Sequence, residues 1–191
     1  MATEIGPGAT DNVVMVLINQ HERARALLAE LHETVAAVAE ITRDAAEPFR
    51  ELVELLATHE AAEELVVYPT LKTGLQEGHV AGDCLAEEHE TKRMLAGLEK
   101  MGKGFFAFPD ALVEFEQTLL AHAEHEEQAI FPLLEGRVDD EHRRRLAEDF
   151  RSAAARAPSH AHAHSPQGAV GNVLLGPFLA TIDRLRDAAH S

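Results

Sequence analysis

The chain has 191 residues, 46% hydrophobic and 26% charged, enough apolar material for one folded domain with an appendage and unlike a disordered chain. Its 33 acidic against 17 basic residues give a formal charge of −16, which opposes binding to nucleic acid or anionic lipid. The single cysteine, Cys84, excludes an internal disulfide and a cysteine-rich zinc framework, and no apolar run is long enough to span a bilayer, so a cytoplasmic protein is expected.

With no Trp and one Tyr, the composition favours helices over a β-sandwich. After a leader over 1–12, apolar residues recur at helical spacing across 13–39 (Val14, Leu17, Ile18, Ala24, Leu28, Leu31, Val35), which predicts a first helix. A second is predicted from Asp44, a plausible N-cap ahead of Pro48, with Leu52, Leu55, Leu56, Ala62 and Val66 on its stripe and Pro69 ending or kinking it. A third covers 79–100 with Leu85, Leu95 and Leu98. The fourth starts near Asp110 and carries Leu112, Phe115, Leu119, His122, Glu126 and Leu133. Short connections make these an up-down-up-down four-helix bundle over 13–135, an all-α fold. A C-terminal helical extension follows over 136–191: a short charged helix at 139–151, a His/Ala/Pro linker at 153–168 and a last amphipathic helix at 172–188.

The histidines carry the chemistry. Aligning His59 with His122 also matches Glu63 with Glu126, Glu64 with Glu127, Val67 with Ile130, Tyr68 with Phe131 and Pro69 with Pro132, so the chain reads as two related helical hairpins. Residues four apart on a helix lie on one side, about 6 Å apart along the axis. His59 with Glu63 and His122 with Glu126 can therefore each grip an ion. His21 in Gln20-His21-Glu22 and His89 in Glu88-His89-Glu90 add one imidazole each from the other two helices. Four imidazoles and two carboxylates suit a pair of iron or manganese ions, and zinc is also accepted by these donors. Buried carboxylates without a counter-charge cost several kcal/mol, so something positive belongs inside. His125 is turned away from Glu126's side, and the His160, His162 and His164 run reads as solvated linker.

In these four motifs, in order over positions 13–134, the chain resembles the hemerythrin family, in particular its bacterial members with a His-His-Glu cation-binding domain. The resemblance implies an oxo- or hydroxo-bridged di-iron centre with His21, His59, His89 and His122 as terminal ligands and Glu63 and Glu126 as bridges. It further implies a small diatomic or peroxide ligand. Two departures stand out. Oxygen carriers of the family have a second His one turn after the helix 3 ligand, where this chain has Arg93, and they place the last carboxylate at the position of Glu127. The coordination left by Arg93 falls to water, Glu60, Glu90 or Tyr68. This favours a protein that reacts with or senses dioxygen, hydrogen peroxide or nitric oxide, with peroxide disproportionation as its enzymatic form. The alternative is a non-enzymatic oxygen- or iron-binding or storage protein.

Overall fold

The computed structural model describes residues 12–37, 43–101 and 108–157. Helix α1 spans Val13–Ala37, α2 Arg43–Ala62, α3 Gly78–Met101, α4 Phe108–Arg137 and α5 Asp140–Ala154. No helix among the described residues is long and apolar enough to cross a membrane. The linker beyond residue 157 and the helix expected at 172–188 lie outside the described residues.

Contacts between named side chains fix the direction of each helix. Gln20 meets His59 and Arg23 meets Glu51, so α1 and α2 are antiparallel. Tyr68 meets Glu88 while Lys92 meets Glu64, which does the same for the second and third helices. Glu87 meets His122 in the pairing of α3 with α4, and Cys84 lies beside His125. His21 with Glu127 and His32 with Glu116 close the ring between α1 and α4. The result is the expected up-down-up-down bundle.

Pro69 does not end the second helix. The chain passes from α2 through two π-helical turns, Glu63–Val67 and Thr70–Gly74, with Tyr68 and Pro69 still helical between them. A π-turn carries an extra residue, which rephases everything after it. The turn into α3 then takes its left-handed residue at Gln76 (φ 60°), not at a glycine.

The bundle's interior is split into two apolar clusters. One gathers Val13, Leu17, Val67, Tyr68, Leu71, Ile130, Phe131 and Leu134 at one end. The other gathers Leu27, Leu31, Leu52, Leu56, Leu95, Leu98, Leu112 and Phe115 at the far end. Between them, in sequence and in space, lies a layer of buried polar side chains.

Helix α5 departs from the expected appendage. Leu146, Ala147, Phe150 and Ala153, one stripe of an otherwise charged helix, are buried in the first cluster against α1 and α2. Its start is fixed by the Asp139 side chain, which accepts from the His142 N–H at 2.8 Å. Arg143 donates to the carbonyls of Leu134, Glu135 and Val138 and so caps the end of α4.

Candidate metal centre

Each bundle helix contributes to the polar layer. His21 comes from α1, His59 and Glu60 from α2, Glu63 from the first π-turn, Glu88 from α3, and His122 and Glu126 from α4; all are buried. Ligating atoms of His21, His59 and Glu126 lie within 4.8 Å of one another, and so do those of Glu63, Glu88, His122 and Glu126. Glu126 belongs to both groups.

Each ring in these groups is held from behind. His21 Nδ1 is 2.9 Å from Glu127 Oε1, which also accepts from Arg25. His59 Nδ1 is 2.7 Å from Gln20 Oε1, and His122 Nδ1 is 3.1 Å from Glu87 Oε2. Outer acceptors of this kind fix the tautomer and leave Nε2 as the free lone pair. Those Nε2 atoms face inward: His59 Nε2 is 3.2 Å from Glu63 Oε2, and Glu126 Oε2 is 3.4 Å from His21 Nε2 and 3.7 Å from His122 Nε2. Phe131 stacks on the His21 ring and Phe150 meets the His59 ring edge-on, so apolar walls close that side.

Whether a cation fits can be judged from the polar atoms left without partners. Among the described residues, these are Glu60 Oε1, both Glu63 oxygens, His122 Nε2 and Glu126 Oε2, with Arg143 Nε elsewhere. Buried polar atoms are ordinarily satisfied, and these are lone-pair donors facing one another. Burial, then the Glu126 and Glu88 charges, pushes Glu63 well above the usual carboxylate range. Burial raises Glu88 as well, against the opposing Lys92 ammonium, and lifts Glu60 to about 7. Burial and the neighbouring His21 lower His59 to about 3, so its ring is neutral and ready to ligate. Bound cations replace the protons that such carboxylates would otherwise hold.

His89 is not part of this layer. It is exposed, and Glu88, one residue earlier, is fully buried in its place. The buried positions of α3 run Ala81, Cys84, Glu88, Thr91, Leu95, Ala96 and Leu98, and one residue of offset turns a side chain about 100°. Leu95 and Leu98 lie seven and ten positions after Glu88, so the sequence held the correct phase; Leu85, half-buried and four before His89, pointed to the wrong one. The other five expected ligands, His21, His59, Glu63, His122 and Glu126, do come together.

Of the groups left open for remaining coordination, Glu90 is exposed and paired with Arg93, and Glu127 stands behind His21. Tyr68 lies at the layer itself. Five positions on in an α-helix would turn it about 140° from Glu63; the intervening π-turn brings it inward, where its hydroxyl donates to Glu88 Oε1 (2.6 Å) and lies 2.9 Å from Glu126 Oε1. Lys92 completes the surroundings, with Nζ 3.3 Å from Glu88, 3.4 Å from Glu60 and 2.5 Å from Glu64.

Residues 12–134 match the hemerythrin HHE cation binding domain. The chain belongs to the hemerythrin family. Within it, the chain is 34% identical over 134 residues to an uncharacterised hemerythrin-like protein of Schizosaccharomyces pombe, covering 69% of this chain and 66% of that one. It is 23% identical over 145 residues to a protein of Nostoc sp. named a DNA nickase, covering 76% of this chain and 40% of that one. The chain thus spans just under two thirds of the first relative and less than half of the second. No solved structure matches it. The matched region is the bundle of α1 to α4, and it contains the polar layer with its two candidate His/Glu donor groups.

Proposed function

We propose that the layer holds two iron ions, one on His21, His59 and Glu126 and one on Glu63, Glu88, His122 and Glu126, and that the centre reacts with hydrogen peroxide, dioxygen or nitric oxide. The shared Glu126 carries this reading, because its carboxylate belongs to both donor groups, with Oε2 3.4 Å from His21 Nε2 and 3.7 Å from His122 Nε2, and a carboxylate can bridge two ions. Bound iron would supply redox and Lewis-acid chemistry toward such small molecules.

The chain's own residues supply the rest. A cavity of about 20 Å³ opens on His21, His59 and His122, with Gln20, Arg25 and Glu60 also on its wall and apolar side chains such as Leu28, Leu56 and Leu119 lining the rest. That is room for about one water-sized molecule, which suits a diatomic or a peroxide. Glu60 is the carboxyl group on its wall. With Oε1 unpartnered and an affinity for protons centred near neutral pH, Glu60 can hold or release a proton beside the cavity. Net charge −16 and a buried site favour a small-molecule role over contact with a phosphate backbone, the name of the Nostoc relative notwithstanding.

Oxygen release from peroxide, measured across preparations with graded iron content, tests the proposal. Release should rise in proportion to iron, and Glu60→Gln should keep its iron while slowing turnover at least tenfold. Iron-loaded protein that releases no oxygen, yet shifts its near-ultraviolet bands reversibly with dioxygen, would replace this reading with oxygen binding or storage.

A further inference from the structure

Among the described residues, one further set of metal-ligating side chains converges outside the polar layer. We propose that Cys84 and Glu87 of α3 with His125 of α4 form a separate site for a single zinc-like divalent ion, on the outer side of His122. Cys84 and Glu87 stand three apart and share one side of α3, facing α4 where His125 sits. Their ligating atoms all lie within 4.8 Å of one another.

The spacing is that of a coordination sphere. Tetrahedral zinc with a Zn–S bond of about 2.3 Å and Zn–N and Zn–O bonds of about 2.1 Å places sulfur about 3.6 Å from nitrogen and nitrogen about 3.4 Å from oxygen. Cys84 Sγ lies 3.9 Å from His125 Nδ1, and Glu87 Oε1 lies 2.9 Å from the same nitrogen. Adjustments of a few tenths of an ångström bring all three onto one ion. Accessibility is also suitable, because the sulfur is fully buried whereas Glu87 and His125 are 39% and 36% exposed. An ion can reach the group from solvent and keep water as its fourth ligand. Thiolate, imidazole and carboxylate are together the donor set of a borderline-soft ion.

Among the described residues, the hydrogen-bonding neighbour of Cys84 Sγ is His125. Burial, then the Glu126 and Glu87 charges, pushes this thiol upward, so a cation is what would make it a thiolate. The site shares no ligand with the proposed iron centre. It is nonetheless linked to it, since Glu87 Oε2 is the acceptor behind His122 Nδ1.

Cobalt(II) is a suitable probe, because thiolate-bound cobalt gives a near-ultraviolet charge-transfer band and the chain has one cysteine. Full-length protein already loaded with iron should develop this band on titration, saturating at one equivalent, and zinc should abolish it by displacement. Cys84→Ser should remove the band, and His125→Gln should weaken cobalt binding at least tenfold, both with iron content unchanged. No band at saturating cobalt, or a band that His125→Gln leaves unaltered, overturns the proposal. Iron content is read separately, so loss of the iron centre itself is distinguishable from either outcome.

Discussion

Glu126 stands within reach of three imidazoles and one tyrosine hydroxyl, and of the site's carboxylates it is the one both donor groups include. Replacing it with Gln keeps its volume and removes its charge, so Glu126→Gln should lose iron from both groups. Glu63→Gln should lose chiefly the ion it shares with Glu88 and His122. Metal analysis of the two purified variants checks this, and equal losses would remove Glu126 from its bridging place. At this scale the sequence placed His59, Glu63, His122 and Glu126 together in the buried layer because their i,i+4 pairing and repetition do not depend on exact helix phase, and it placed His21 there by its position on the Leu17, Ala24 and Leu28 stripe of α1. It did not disclose Glu88 or the Lys92 ammonium among Glu60, Glu64 and Glu88, and it offered Tyr68 only as one of several candidates. Those depend on a 100° choice of phase in α3 and on a π-turn that no residue type announces.

Among the elements, α1 to α4 were legible because each carries several apolar residues at helical spacing, and their ends fall within two or three residues of the expected positions except after α2, where two π-turns carry the chain past Pro69 to Gly74. Helix α5 was legible as a helix but not as part of the core. Its buried stripe is only Leu146, Ala147, Phe150 and Ala153 amid charged residues, and nothing local tells where such a stripe docks. Its docking matters to the site, since the fully buried Phe150 ring lies 6.0 Å from that of His59. Phe150→Ala should therefore cost about 3–5 kcal/mol of stability, as large-to-small core changes do. It should also weaken iron retention, because the wall behind His59 is lost. Denaturant midpoints at constant slope, with chelator competition for iron, read both effects; a variant of unchanged stability would return α5 to the status of an appendage.

For the molecule as a whole, two apolar clusters enclose a polar layer whose protonation is set by what else occupies it. Without metal, Glu60 binds its proton up to about pH 7 instead of the ordinary 4.5, and Glu63 and Glu88 are raised in the same direction. A group with a raised folded pKa contributes stability fully present below its unfolded value and lost as pH rises through the folded one. His59, lowered from 6.5 to about 3, acts oppositely: its contribution is present above 6.5 and lost as pH falls. Glu126, lowered to about 2, loses its contribution only as pH falls below about 4.5. Between about pH 5 and 6.5 three raised carboxyl groups therefore outweigh one imidazole, and above that nothing in this set opposes them. Each net proton is worth about 1.4 kcal/mol per pH unit, so one uncompensated proton lowers stability by about 3 kcal/mol from pH 5 to 7. Metal-free protein should thus be most stable near pH 4.5 to 5 and weaken toward neutrality. Metal-loaded protein should hold its stability over the same range, because cations take the place of those protons. Denaturation midpoints of chelated and iron-loaded protein across pH 4 to 8 measure the difference, which should widen as pH rises. Parallel curves would mean that the buried carboxylates are neutralised by something other than metal.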